Sequence, residues 1–184
     1  MARALVILAE GAEEMETTIT VDVLRRGGIE VILAGLDGAA PVTCSRGVRI
    51  VPDCALADTA GPFDVIVLPG GGEGARRLSE SAPVGALLRA QEAEGRLTAA
   101  ICAAPIALAK HRVYAGHKLT GYPTVHPILA AHGDVITAPV VEDRALLTSQ
   151  GPGTTFAFAL ALVERFAGKD TASRVRDAMV LPAT

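Results

Sequence analysis

Short apolar runs alternate with amphipathic stretches along nearly the whole chain. Residues 3–9 are apolar almost without interruption, the pattern of a strand buried on both faces. In residues 15–26, Met15, Ile19, Val23 and Leu24 recur at helical spacing and Gly27-Gly28 follow, which predicts an amphipathic helix with a glycine stop. Residues 30–35 read as a second strand, and Asp37-Gly38 as a turn. Val42-Thr43-Cys44 and Val48-Arg49-Ile50 flank Ser45-Arg46-Gly47 and predict a short β excursion. Residues 64–68 form another buried strand, which runs into Pro69-Gly70-Gly71-Gly72. Helices are predicted over residues 74–80 and 83–94. The apolar strand that follows ends on Cys102, and a helix is expected to begin at once, because Pro105 suits a first helical turn. Leu119-Thr120-Gly121, Val135-Ile136-Thr137 and residues 145–149 predict further strands. Gly151-Pro152-Gly153 ends the last of them, Thr154 is read as the cap of an alanine-rich helix reaching Phe166, and residues 171–179 form a final helix.

Repeated strand–helix units of this kind predict an α/β fold, a doubly wound sandwich with a mostly parallel central sheet. Its ligand crevice is expected at the carboxyl ends of the strands. Composition supports the same picture. The 184 residues suit one domain spanning 1–184, and a chain that is 50% hydrophobic but 3% aromatic, with no Trp, must build its core from Ala, Val, Leu and Ile. A net charge of −3 without a basic block speaks against nucleic acid or an anionic membrane as a partner. No run is long enough to span a bilayer, and the N-terminus enters a strand without a leader-type apolar region. Three cysteines, an odd count with no C-x-x-C pair, argue against a disulfide framework or structural zinc and for a reducing, cytoplasmic location.

Three features fall at the predicted strand ends. Cys102 lies at a strand-to-helix elbow, where the positive end of a helix dipole favours thiolate, the nucleophilic form. Free cysteines are more often small buried hydrophobes, so the elbow alone does not decide. Glu13, Glu14 and Glu16 open the first helix; carboxylates there complement the dipole, but one directed into the crevice beside a thiol would have a raised pKa and could shuttle a proton. Pro69-Gly70-Gly71-Gly72-Glu73-Gly74 lacks the Lys-Ser/Thr of a P-loop and the spacing of a dinucleotide fingerprint. It reads instead as a tight turn whose amides near Gly71, with that of Ala103, could face a developing oxyanion. None of the four histidines stands in a metal-ligand spacing, so no metal is expected; His126 is the one to watch near Cys102. Cys44 and Cys54 read as packing or loop thiols, and Arg46 as a solvated arginine or one near an anion.

Five motifs then occur in register: Ala4-Leu5-Val6-Ile7-Leu8-Ala9, Gly11-Ala12-Glu13-Glu14-Met15-Glu16-Thr17, Val67-Leu68-Pro69-Gly70-Gly71, Ala99-Ala100-Ile101-Cys102-Ala103, and Leu147-Thr148-Ser149-Gln150-Gly151-Pro152-Gly153-Thr154. Together they resemble the ThiJ/PfpI superfamily, in the branch of the parkinsonism-associated protein deglycases and their bacterial relatives, over essentially the whole chain. The resemblance implies a flavodoxin-like homodimer. It implies Cys102 as reactive nucleophile, Glu16 as its protonated carboxyl partner, and Gly71 and Ala103 as oxyanion donors. It places Cys44 near a two-fold interface and Arg46 at the pocket entrance. Two departures are informative. Tyr122 stands where some members carry histidine, so it is expected to line the pocket, and whether His126 substitutes is open. Ala103 stands where peptidase-type members carry histidine after the cysteine, which argues against protease activity.

The implied function is a cofactor-free, cysteine-dependent deglycase or glyoxalase. It would act on methylglyoxal, glyoxal and glycated protein side chains through a Cys102 hemithioacetal, with Arg46, Tyr122 and His126 as substrate-binding candidates. The competing reading is an oxidative-stress sensor and redox-regulated chaperone that works through Cys102 sulfinic acid.

Overall fold

The structure, a computed structural model, describes residues 1–182. Its centre is a seven-stranded sheet. In chain order the strands are β1 (Arg3–Leu8), β2 (Glu30–Gly35), the two-residue β3 (Val42–Thr43), β4 (Arg49–Ile50) and β5 (Cys54–Ala55), then β6 (Val65–Leu68), β7 (Leu97–Ile101), β8 (Lys118–Leu119), β9 (Asp134–Val135), β10 (Val140–Asp143) and β11 (Leu146–Ser149). The helices are α1 (Glu14–Arg26), α2 (Gly72–Glu80), α3 (Ala82–Ala93), α4 (Pro105–His111), α5 (His126–Leu129), α6 (Thr155–Ala167) and α7 (Lys169–Ala178).

The large sheet runs β10-β11-β7-β6-β1-β2-β5, parallel throughout except for the β10–β11 pair. Strand alternation divides the core in two. Ala4, Val6, Leu8, Val65, Val67, Leu97 and Ala99 pack on the face covered by α1, α6 and α7. Leu5, Ile7, Ile66, Leu68 and Ala100 pack on the face covered by α2, α3 and α4. Continuous apolar strands are therefore what the fold needs, since each alternate side chain meets a helix layer. The flavodoxin-like α/β architecture expected from the sequence is the one observed.

Several local expectations differ. Met15 was placed on the buried stripe of the first helix but is 50% exposed. The buried positions of α1 are Glu14, Glu16, Thr17, Thr20, Val21, Val23 and Leu24, so the helix turns two carboxylates inward. Strand β10 falls in a stretch given no element, because Glu142 and Asp143 disguise a half-exposed edge strand. Residues near 135 form a separate two-stranded ladder with β8 rather than joining the main sheet. Thr154 does stand at the start of α6, but its hydroxyl turns back to Ser149 and Gly151 instead of capping the helix. Finally, α4 does not start directly after Cys102. Cys102 has a φ of 63°, outside any helix, and Ala104 N–H closes a turn onto the Ile101 carbonyl at 3.0 Å, so the helix begins at Pro105.

Candidate active site

The carboxyl ends of β1, β6, β7 and β11 lie side by side, and the winding of the sheet reverses between β1 and β6. A crevice opens at such a reversal because the two connections leave on opposite faces. Glu16 enters it from the first turn of α1. Glu13, at the N-cap, accepts the Glu16 backbone N–H on Oε2 at 2.7 Å, and its own N–H donates to the Gly70 carbonyl at 3.0 Å. The helix start and the glycine loop are thereby fixed to each other. Glu16 is completely buried; its Oε2 accepts the Gly70 N–H at 2.7 Å, and its Oε1 is left without a nitrogen or oxygen partner. The Cys102 thiol lies close enough that each group shifts the titration of the other.

The glycines are demanded by this approach. A Cβ at Gly70 would stand 2.6 Å from Cys102 Cβ and 2.8 Å from Glu16 Oε2. Gly71 has a φ of 86°, and a Cβ there would lie 2.4 Å from the Gly11 carbonyl oxygen. Cys102 itself adopts left-handed backbone, which an L-residue holds only when its surroundings enforce it. Here its N–H donates to the Ser149 carbonyl at 3.0 Å and its carbonyl accepts the Tyr122 N–H at 2.7 Å. The kink breaks strand alternation. Cys102 joins the core cluster of Ile101 rather than that of Ala100, and the nearby backbone N–H groups of Gly71 and Ala103 favour its thiolate form.

Burial pushes the Glu16 carboxyl up to about 7; the Gly70 amide and the thiol oppose this, and the Glu13 charge adds to it. Burial also pushes the Cys102 thiol up to about 12, the Glu16 charge adding and the Gly71 and Ala103 amides opposing. A free resting thiolate, expected from a helix N-terminus, is therefore not what the site favours. The α4 terminus lies three residues on, and desolvation beside a carboxyl outweighs the amides. At neutral pH the thiol therefore keeps its proton, and the Glu16 carboxyl, titrating near neutrality, is the neighbouring group that can accept it.

Cys102, Glu16, Gly71 and Ala103 thus lie at one place in the fold. Tyr122 lies at the rim, 45% exposed, its ring against Gly151. His126 bonds the Gly121 carbonyl through Nε2 at 2.9 Å rather than the thiol. Arg46 is exposed; its backbone N–H donates to Glu14 Oε1 at 2.8 Å and its guanidinium contacts the Ser45 carbonyl at 3.3 Å. Gly70 is the site residue that sequence reasoning passed over, although the Pro-Gly-Gly-Gly run contained it. Cys44 is buried, and its thiol is pushed up to about 11 by burial and by the charges of Glu14, Glu10 and Glu13. Among the described residues, no group of three or more His, Cys, Asp or Glu side chains could hold a metal ion, and no helix is long and apolar enough to cross a membrane.

The model of the DJ-1/PfpI family matches residues 2–165. The chain belongs to that family. It is 52% identical over 180 residues to Protein dj-1beta of Drosophila melanogaster, covering 97% of this chain and 96% of the relative. The crystal structure of that fly protein superimposes with a TM-score of 0.97, covering 99% of both chains. Glutathione-independent glyoxalase DJR-1.2 of Caenorhabditis elegans is 42% identical over 170 residues, covering 91% of this chain and 90% of the relative. The structure of oxidized Toxoplasma gondii DJ-1 is 32% identical, with a TM-score of 0.92 and full coverage of both chains. Membership in the DJ-1/PfpI family agrees with the resemblance drawn from the five motifs.

Proposed function

We propose that this protein is a cofactor-free dicarbonyl-handling enzyme of the DJ-1/PfpI family, converting methylglyoxal or glyoxal to the hydroxy acid. The observation that carries the reading is the fully buried Glu16 carboxyl, raised to about 7, beside the Cys102 thiol, whose thiolate form the Gly71 and Ala103 amides favour. A carboxyl titrating near neutrality can both take and return a proton at physiological pH. The Cys102 thiol adds to the aldehyde carbon of methylglyoxal as its proton passes to the oxygen through Glu16, giving a hemithioacetal. Glu16 then removes the proton on that carbon and an enediol forms. Reprotonation at the neighbouring carbon yields a lactoyl thioester. The aldehyde carbon is oxidised and the ketone carbon reduced within one molecule, so no external redox partner is required. Water releases lactate and restores the thiol. The Gly71 and Ala103 amides are suited to the oxygen that gains charge on the carbon bonded to sulfur.

The same first step serves hemithioacetals and aminocarbinols on glycated side chains, so repair of early adducts is the companion activity. The similarity to a relative named as a glutathione-independent glyoxalase supports the reading. Tyr122 at the rim and Arg46 on the β3–β4 hairpin are the candidate substrate-binding groups. A homodimer is the expected working form, and three free thiols fit a reducing cytoplasm. The test is lactate formation from methylglyoxal: the wild type should turn over, and Cys102→Ser should fall at least about a hundredfold. Equal rates would overturn the proposal.

A second reading has one observation in its favour, the similarity to a relative whose structure is of the oxidized form. Cys102 would be oxidised by peroxide to sulfinic acid, with the protonated Glu16 donating to it. Intact-mass analysis after mild peroxide, showing two added oxygens on wild type and none on Cys102→Ala, would support it; oxidation confined to Cys44 or Cys54 would exclude it.

A further inference from the structure

His126 makes no contact with the thiol, yet its ring is not idle. Nε2 donates to the Gly121 carbonyl at 2.9 Å, five residues back in the chain. The next residue, Tyr122, donates its backbone N–H to the Cys102 carbonyl at 2.7 Å. Gly121 is pressed close to the same atom, since a Cβ there would lie 3.0 Å from the Cys102 carbonyl oxygen. Tyr122 is extended, with φ −60° and ψ 138°, the conformation that the following Pro123 enforces. Its ring backs onto Gly151, where a Cβ would stand 3.4 Å from the ring Cδ2. The loop is thus held at three points: proline sets its direction, Cys102 anchors its amide, and His126 anchors the preceding carbonyl. Both the neutral Nε2–H tautomer and the imidazolium can donate this bond, so it persists whichever form is present.

We infer that His126 is a positioning residue, which holds Tyr122 as an aromatic wall at the crevice mouth, and that this wall selects dicarbonyls by the substituent on the ketone carbon. The inference rests on the proposed dicarbonyl chemistry for its substrate. When Cys102 holds the aldehyde carbon, the ketone substituent is the part left to extend to the rim. A methyl group gains little there, whereas a flat aryl group can lie against the exposed ring. Cys102 keeps its N–H bond to Ser149 when the loop loosens, so the larger effect is expected at the rim rather than at the thiol.

The experiment compares wild type, His126→Leu and His126→Gln, the last keeping a side-chain donor. Substrates are methylglyoxal and phenylglyoxal, and amide hydrogen exchange over residues 119–125 is followed in parallel. His126→Leu is expected to raise KM for phenylglyoxal about fivefold, the size of one ordinary hydrogen bond. KM for methylglyoxal should change less than about twofold, with kcat within about twofold for both. Exchange over residues 119–125 should quicken several-fold at unchanged Tm, and His126→Gln should restore both readouts. Unchanged exchange and KM in His126→Leu would overturn the positioning role. An equal loss for both substrates, or a fall in kcat together with Tm, would reduce His126 to a structural residue and overturn the selection. If wild type turns over neither dicarbonyl, the functional reading and the selection fail, while hydrogen exchange still decides the positioning role.

Discussion

Glu16 shows how a single residue is set against the stability of its own fold. It is completely buried, its Oε1 lacks a nitrogen or oxygen partner, and burial raises its pKa to about 7 from the ordinary carboxylate value of 4.5. The sign follows from the direction. The folded state binds this proton more tightly than the unfolded chain, so the associated stability is present below the unfolded value and is lost as pH rises through about 7. Glu16→Gln keeps an oxygen for the Gly70 amide and never carries the charge. Relative to wild type, the variant should therefore gain stability between pH 5 and pH 8, by up to about 3 kcal/mol, the scale set by roughly 1.4 kcal/mol per pKa unit. Denaturant midpoints at the two pH values measure it. Lactate formation by the same variant should fall by about a hundredfold or more, because the proton shuttle is gone. Parallel pH dependence of stability in the two proteins would show that Glu16 ionises without cost in the folded protein.

Among the elements, the β3–β4 hairpin depends on Glu14, the first residue of α1. Glu14 accepts Ser45 Oγ–H on Oε2 and the Arg46 N–H on Oε1, both at 2.8 Å, and Ser45 N–H donates to the Ala12 carbonyl at 2.8 Å. Burial opposes the Glu14 charge, but hydrogen bonds from its own backbone, Ser45, Arg46 and Val48 outweigh it and leave the carboxyl below its ordinary value. The contribution is thus present at neutral pH and lost as pH falls through that depressed value. Glu14→Ala should release the hairpin, at a cost of roughly 1–3 kcal/mol for charged hydrogen bonds. Hydrogen exchange at Ser45 and Arg46 should quicken by at least tenfold at pH 7 while β1 stays protected; equal exchange in both proteins would rule out the latch. The same residue explains what the sequence conceals. The continuous apolar runs of β1, β6 and β7 were readable because both faces are buried. On α1 the rule inverts: Glu14 and Glu16 face inward to hold a hairpin and a thiol, and Met15 faces out. The register of a helix cannot be read from apolar spacing where function buries charge. Likewise Cys102 and the glycine loop were legible as strand ends, but the left-handed φ and the buried Glu16 carboxyl beside the thiol depend on Ser149, Tyr122 and Gly70, which are distant in sequence.

For the whole molecule, that outward Met15 is part of a larger question. Met15, Val48 and Val51 are 50%, 51% and 65% exposed, on α1 and on the hairpin and its exit, the two elements that Glu14 ties together. A groove of about 250 Å³ between α1, β2 and Ile50 is lined by Thr17, Thr18, Val21, Asp22, Arg25 and Leu33. If the protein works as the homodimer proposed above, this face is the candidate for its two-fold pairing, because a self-complementary patch closes on itself. The consequence reaches the chemistry, since the hairpin carries Arg46, and its packing against a second copy would fix that guanidinium relative to the crevice. Sedimentation equilibrium of the wild type is expected to give twice the 18.9-kDa chain mass. Val51→Asp should shift it toward one chain mass, burying an unpaired charge at the pairing face. Its KM for methylglyoxal should rise while Cys102 and Glu16, which are assembled within one chain, still support turnover. A monomeric wild type at micromolar concentration, with Val51→Asp unchanged in mass and KM, would show that this face is simply solvated.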